Sequence, residues 1–173
     1  MKTILNREQL SITIQRLCHQ ILENHLELEN TVLIGIQPRG IYISKRIVEQ
    51  LKKQTSPGNV LYGKLDITFY RDDIRKELHV ANQTDIPFII ENKNVILIDD
   101  VLYTGRTIRA ALDALLDYGR PAKVELCILV DRRFSRQLPI QPDYVGKAID
   151  SIVSQKVKVF WGEKDGNEEV LLI

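Results

Sequence analysis

Two adjacent carboxylates, Asp99 and Asp100, stand at the end of the apolar run "NVILI", and the turn Thr104-Gly105-Arg106-Thr107 follows before what reads as a helix. The start of a helix presents unpaired backbone N–H groups and the positive end of its dipole, so such a turn suits an anion. The threonine hydroxyls add donors, and Gly105 lets the backbone come close to a phosphate. The carboxylates would repel that phosphate unless they face something else. A sugar diol satisfies them, as does Mg²⁺ held through water and substrate oxygens. A ribose 5-phosphate offers both features. A second stretch, "GIQPRGIY" (35–42), also follows a strand-like run and opens a helix-like one. There Gly40 permits close approach and Arg39 supplies a charge suited to phosphate. Two anion sites at neighbouring strand ends suit a sugar carrying two phosphate groups. "VILIDD" is also the pattern of a Walker B strand, but the GxxxxGK[ST] that reading requires is absent, as is GxGxxG. A lone Asp there would be an ordinary helix cap; two acids followed by TGRT ask for more.

Elements of fixed geometry must hold these residues. Asn6 with Gln9 forms a capping-box pattern, and Leu10, Ile14, Leu17 and Ile21 recur at helical spacing, predicting a helix over 7–26. "TVLIGIQ" (31–37) reads as a buried strand, and Ile41, Ile47, Val48 and Leu51 mark a helix that Ser56-Pro57-Gly58 ends. "VLYGKLDITFY" (60–70) turns Leu65, Ile67 and Phe69 to one side, as a half-buried strand does. Periodicity vanishes over 71–87, a length of loop that is usually functional or disordered. "NVILI" (94–98) is a strand, Ile108, Ala111, Leu112 and Leu115 a helix stopped by Gly119 and Pro121, and "KVELCILV" (123–130) the next strand. This alternation predicts a central, mostly parallel α/β sheet flanked by helices, with ligands outside the carboxyl ends of its strands. The tail from Pro139 reads as short strands forming a small appended subdomain and an edge strand, and "EKDGNEE" within it as an exposed turn.

With 173 residues, the chain is expected to form one domain. Its 24 basic and 23 acidic residues give a net charge of +1, which neither demands nor excludes a nucleic-acid partner. Cys18 and Cys127 lie in apolar patterns, without a CxxC, and read as buried thiols of a reducing compartment. No run approaches the ~18 apolar residues of a membrane span, and "MKTILNREQL" lacks a signal-peptide core. A cytoplasmic location is expected.

"VILIDDVLYTGRT" (95–107) resembles the phosphoribosyl pyrophosphate motif of the type I phosphoribosyltransferases. With Tyr103 and Arg106, it is similar to one branch, the bifunctional pyrimidine operon attenuators and uracil phosphoribosyltransferases. "GIQPRGIYISKRI", "DITFYRDD", "GRPAKVELCILVDR" and "LPIQPDYVGK" extend the likeness over most of the chain. The resemblance implies the type I fold with a small C-terminal hood, residues 71–87 being a mobile active-site loop and 139–173 the hood and edge strand. It also implies conversion of uracil and phosphoribosyl pyrophosphate to UMP and pyrophosphate with Mg²⁺. Thr104 to Thr107 would hold the 5-phosphate, and Val101, Leu102 and Tyr103 would also bind substrate. Asp99 and Asp100 would face the ribose and stabilise the developing cation, and Pro38, Arg39 and Gly40 would form the pyrophosphate loop. Arg71, with Asp72 and Asp73, would open the loop that excludes water. Lys156, Val157 and Lys158 would lie in the hood and read uracil through main-chain groups. Related purine enzymes carry an acid where Tyr103 stands, so uracil is expected rather than a purine. Related enzymes also carry a cis peptide in the pyrophosphate loop, so Gln37–Pro38 is expected to be cis. A homodimer or higher homo-oligomer is expected.

The branch also implies an RNA-binding regulator that senses UMP or UTP and controls pyrimidine genes, either beside catalysis or with little of it; a purine phosphoribosyltransferase is the remaining alternative. The RNA face would use Arg16 and His19 of the first helix with Arg132, Arg133, Arg136 and Lys147. His19 reads equally as an ordinary helix-surface residue. Asn24 and Gln141 stand where the family favours basic residues, a His is missing, and one residue is inserted. His25 and His79 read as solvent-facing.

Overall fold

The computed structural model describes residues 1–72 and 80–173. Asp73 and His79, which sequence reasoning had singled out, lie outside them. Among the described residues no helix is long and apolar enough to cross a membrane.

Strand β1 (Lys2–Leu5) leads into helix α1 (Arg7–Asn24), whose start is set by the capping box: Gln9 N–H donates to Asn6 Oδ1 at 2.9 Å and Asn6 N–H to Gln9 Oε1 at 3.0 Å. Strand β2 (Thr31–Ile36), helix α2 (Gly40–Gln54) and strand β3 (Leu61–Leu65) follow, then β4 (Asn94–Leu102), α3 (Arg106–Leu115), β5 (Lys123–Arg133) and β6 (Tyr144–Asp150). These five strands form one sheet in the order β3-β2-β4-β5-β6, every pair parallel. A parallel sheet covered on both faces needs apolar residues on both. Leu33, Ile96, Ile98, Cys127 and Leu129 pack against α1 and α2, while Val32, Ile34, Val95, Leu97 and Ile128 pack against α3. Each fully buried Leu or Ile contributes about 1.5–3 kcal/mol.

Three strands differ from their sequence patterns. β4 does not stop at Ile98: pairing with β5 continues through Val101↔Val130 and Leu102↔Asp131, so both acids lie inside the strand. β3 ends at Leu65, because Asp66 accepts from the N–H and, at 2.9 Å, the hydroxyl of Thr68 and turns the chain. Ile67 stays buried beyond that turn, but Phe69 is 84% exposed. The third is β1, whose four residues carry no legible pattern; they pair with the far end of the chain.

The tail divides between two sheets. β6 is the edge of the main sheet, whereas β7 (Val157–Phe160), the short helix α4 (Gly162–Asp165) and β8 (Glu169–Leu172) build the hood, an antiparallel sheet in the order β1-β8-β7. Trp161, fully buried, stacks on Tyr42 of α2 at 6.2 Å, and the Arg46 guanidinium lies 4.6 Å from its ring. Arg46 also pairs with Glu163 at 2.7 Å and Glu168 at 2.5 Å. The "EKDGNEE" stretch is exposed over residues 163–167, as expected of a turn, and its Glu163 and Glu168 also clamp the hood to α2.

His25 is not a bystander either, with a side chain only 8% exposed. Its Nε2 lies 2.6 Å from Glu125 Oε2 and its Nδ1 3.0 Å from Thr31 Oγ1. Tyr144 OH donates to the same Glu125 oxygen at 2.7 Å, and Lys123 Nζ sits 2.6 Å from Oε1. Burial raises the Glu125 pKa, but the hydrogen bonds from Lys123, His25 and Tyr144 outweigh it and hold the carboxyl below its ordinary value. This polar cluster lies at the amino end of β5, the opposite end from Asp99 and Asp100.

Candidate active site

The carboxyl ends of β2 and β4 open into three adjoining compartments. The central one, about 550 Å³, is lined by Gln37, Pro38, Arg39, Arg71, Asp99, Asp100 and Thr107 among others. A second, about 340 Å³, is lined by Tyr103 to Thr107 with Arg71 and Gln137. The third, about 570 Å³, lies under the hood, between Arg39, Asp100 and Val101 on one side and Val157 to Phe160 with Lys164 and Asp165 on the other. Arg71, Val101 and Thr107 line both the first and second; Arg39, Asp100 and Val101 line both the first and third.

In the second compartment the chain turns through Gly105, whose φ of +93° few side chains tolerate. Neither Gly105 before α3 nor Arg39 before α2 supplies a side-chain cap; the α3 N-terminus opens onto this compartment, with Thr104 Oγ1 accepting from Arg106 N–H at 3.4 Å, and the α2 N-terminus lies at the central one. Arg71 donates to Thr107 Oγ1 at 3.3 Å. Arg106 donates to Gln137 at 2.8 Å and to Asp72 at 2.9 Å. A buttress behind the turn escaped sequence reasoning: the N–H groups of Gln137 and Leu138 donate to Thr104 O, at 2.9 and 3.2 Å. These partners stand some thirty positions away in the chain, and no local pattern announces them.

The Gln37–Pro38 peptide is cis. Gly40 sits so close to β4 that a Cβ would stand 2.5 Å from Ile98 O, backbone that cannot yield. The chain after Val80 is tied to this loop, where Gln37 Nε2 donates to Gln83 O at 2.6 Å, and to β3, where Lys64 and Asp85 exchange backbone hydrogen bonds.

Asp99 and Asp100 are each 6% exposed. Asp99 Oδ1 accepts from Asp100 N–H at 2.9 Å, and Asp100 Oδ2 accepts from Arg39 Nε at 3.0 Å. Burial raises the Asp99 pKa well above the usual carboxylate range, the charge of Asp100 adds to this, and Arg39 and Arg71 oppose it. Burial likewise raises Asp100, against the pull of Arg39. Arg39 reaches across to donate to Val159 O of β7, joining the acids to the hood. Lys156 exchanges both backbone hydrogen bonds with Ile173, so its main-chain groups are spent. In an antiparallel ladder the bonded residues alternate, which turns the main-chain groups of Val157 and Val159 to the open edge of β7, beside the third compartment. Of the three hood residues expected to read the base, Val157 has its main chain available, whereas the main chains of Lys156 and, by the same alternation, Lys158 face β8.

The phosphoribosyl transferase domain family matches residues 1–163 of the chain. The chain belongs to that family. Among its relatives, the bifunctional protein PyrR of Elusimicrobium minutum is 50% identical over 175 residues, covering 99% of this chain and 96% of the relative. That of Bacillus subtilis is 43% identical over 173 residues, covering 98% and 94%. The resemblance to the bifunctional branch thus holds along the whole chain. A hypoxanthine-guanine phosphoribosyltransferase from Bacillus anthracis shares the fold, with a TM-score of 0.74 at 20% identity over 100% of this chain and 98% of the other.

Within this phosphoribosyltransferase the residues singled out for RNA scatter. His19, Arg133 and Lys147 are exposed, with Arg133 paired to Asp150 at 2.7 Å. Arg16 spends its guanidinium on Val145 O and Gly146 O, tying α1 to β6. Arg132 is not at the surface at all: it is buried, and its donors serve Ser151, Ile152 and Gln155. Arg136 holds Tyr103 O at 2.7 Å and Asp131 at 2.5 Å. A basic residue in a polar segment looks solvated until its partners on other elements are known.

Proposed function

We propose that this phosphoribosyltransferase joins the ribosyl C1′ of phosphoribosyl pyrophosphate to N1 of uracil. The bond from C1′ to the pyrophosphate oxygen breaks, the N1 proton is lost, and UMP and pyrophosphate leave. The observation that carries the reading is the buried Asp99–Asp100 pair between two helix N-termini and beneath an open strand edge. The turn at Thr104 to Thr107 suits the 5-phosphate, while Pro38, Arg39 and Gly40 suit the pyrophosphate. Asp99 and Asp100 face the sugar between them, and the open edge of β7 around Val157 supplies main-chain donors and acceptors for the base.

Burial disfavours the charged forms of both acids. A cationic sugar forming above them reverses that preference, so their charge stabilises the transition state more than the ground state. Arg39, once a pyrophosphate competes for it, gives up Asp100 to the sugar side. Arg71 brings a second positive charge beside the phosphate turn. Among the described residues no group of three or more acids, His or Cys could cage a metal ion. Two buried carboxylates fit a cation that keeps water and substrate oxygens as its other ligands, as Mg²⁺ does. Asp99 and Asp100 would hold Mg²⁺ through water, and the ion would supply charge neutralisation for the leaving pyrophosphate.

The relatives are named bifunctional, and with Arg133, His19 and Lys147 exposed this supports a second role as a regulator that senses UMP or UTP and binds leader RNA of pyrimidine genes. Two thiols, both free and buried, accord with a cytoplasmic protein. Tyr103, where a purine enzyme needs an acid, favours uracil. A panel of uracil, hypoxanthine, guanine and orotate, each with phosphoribosyl pyrophosphate and Mg²⁺, should release pyrophosphate with uracil. Turnover with hypoxanthine and none with uracil would sink the reading.

A further inference from the structure

Arg132 is 5% exposed, and nothing in the reaction scheme above uses it. Its Nε donates to Ser151 Oγ at 2.9 Å, and its Nη2 to Gln155 O at 2.8 Å and Ile152 O at 3.3 Å. Its guanidinium carbon lies 4.0 Å from the ring centroid of Tyr103. These partners are a hydroxyl, two carbonyls and an aromatic face, with no carboxylate among them. Withdrawing a guanidinium from water is costly, and a network this specific is kept where orientation matters.

The partners belong to two separate walls. Tyr103 immediately precedes Thr104, the first residue of the phosphate turn. Ser151 to Gln155 form a closed turn, Ile152 and Gln155 bonding one another, and that turn leads straight into Lys156 and β7. The start of β7 is anchored on one side by Lys156–Ile173 and on the other by Arg132 through Gln155 O. One buried cation therefore sets the distance between the phosphate turn and the hood edge.

We propose that Arg132 is a positioning residue for the nucleobase subsite, holding the start of β7, whose Val157 borders the hood compartment, in register with Tyr103 and the phosphate turn that follows it. The proposal rests on the transferase reading. A guanidinium suits the task better than an ammonium because its flat fork can stack on a ring while its edge donates to several acceptors.

Steady-state kinetics of the full chain, varying uracil and phosphoribosyl pyrophosphate separately, tests it, with thermal unfolding measured beside them. Arg132→Met should raise KM for uracil roughly tenfold or more, as expected when a reacting group is misplaced by a fraction of an ångström. KM for phosphoribosyl pyrophosphate should not move. Arg132→Lys, which keeps the cation over the ring but loses the fork, should recover part of the loss. Tyr103→Leu removes only the ring half and should raise the same KM, and the double variant should be less than additive. A lower unfolding temperature with KM for uracil unchanged would overturn the proposal and leave Arg132 a staple. If Arg132→Met does not fold, Tyr103→Leu and Arg132→Lys decide, and unchanged KM for uracil in both overturns it. A wild-type enzyme idle with uracil would instead sink the transferase reading, and the KM of whichever base is accepted then takes uracil's place in the same comparison.

Discussion

A carboxylate taken out of water raises the free energy of its charged form, and Asp99 and Asp100 sit side by side with burial lifting both pKa values. The folded chain then binds protons that the unfolded chain has released, at pH values just above the ordinary carboxylate range. Stability conferred by these groups is therefore present at low pH and lost as pH rises through their folded pKa values. Asp99→Asn should keep the hydrogen bond to Asp100 N–H and remove the buried charge. We expect its kcat to fall by about 10²–10³, the scale of losing one preorganised electrostatic group, while the empty protein becomes more stable at neutral pH. A gain of about 1 kcal/mol would show as roughly 2–4 °C in Tm for a chain of this size. The gap should close near pH 4, where both proteins are neutral at that position. Calorimetry from pH 4 to 8 beside turnover measurements checks both halves, and a less stable variant at neutral pH would contradict the argument. Thr104→Val should instead raise KM for phosphoribosyl pyrophosphate, through loss of a phosphate donor. At this scale the sequence was informative wherever chemistry is local. Two acids, a TGRT turn and a PRG loop mark one site by residue type and spacing, and the structure brings them together at the carboxyl ends of β2 and β4. It failed for His25 and Arg132, whose burial depends on partners some twenty to a hundred residues away.

Elements were legible in proportion to how locally they are determined. α1 shows its capping box and its 3.6-residue stripe within one window, and both are present. β1 has four residues and a partner at the other end of the chain, so nothing near it signals a strand. The local β7–β8 hairpin was legible as short strands, but its closure by β1 from the other end of the chain was not, nor was the length of β4, which outruns its apolar run because β5 keeps pairing with it beyond the acids. The sheet also separates stability from chemistry along its strands. Glu125 lies at the amino end of β5, held below its ordinary pKa by hydrogen bonds that overcome burial. A depressed carboxyl confers stability above the unfolded pKa and loses it as pH falls through the folded one. Glu125→Gln should cost about 1–3 kcal/mol at neutral pH, since His25, Tyr144 and Lys123 lose a charged acceptor. The difference from wild type should shrink on acidification, and kcat and both KM values should stay unchanged. Lost activity in a fully folded Glu125→Gln protein would tie the two ends of the sheet together.

Taken as a whole molecule, the chain is nearly neutral, so any RNA affinity depends on how its cations are distributed over the surface. Of the basic residues marked for RNA, Arg16 is spent on β6, Arg132 on the hood turn and Arg136 on Tyr103 and Asp131. Exposed His19 and Lys147 remain, with Arg133 partly neutralised by Asp150. Arg16 holds Val145 and Gly146, the residues just before Lys147, so α1 and the β6 edge present one continuous face. Losing two or three contacts, at about 1–3 kcal/mol for each that reads a base, weakens or redirects binding without touching catalysis. We expect the affinity for the protein's own pyrimidine-gene leader RNA to be modest and to rise with UMP. Arg132→Ala cannot test this, because it disturbs the hood. Arg133→Ala and Lys147→Ala can, and each phosphate contact removed should flatten the slope of log affinity against log salt by about 1. Titrations at several salt concentrations, with and without UMP, separate the outcomes. Sequence-selective, UMP-enhanced binding that these substitutions reduce would place the regulator on the α1–β6 face. Binding indifferent to RNA sequence, to UMP and to both substitutions would refute that face and leave a transferase alone.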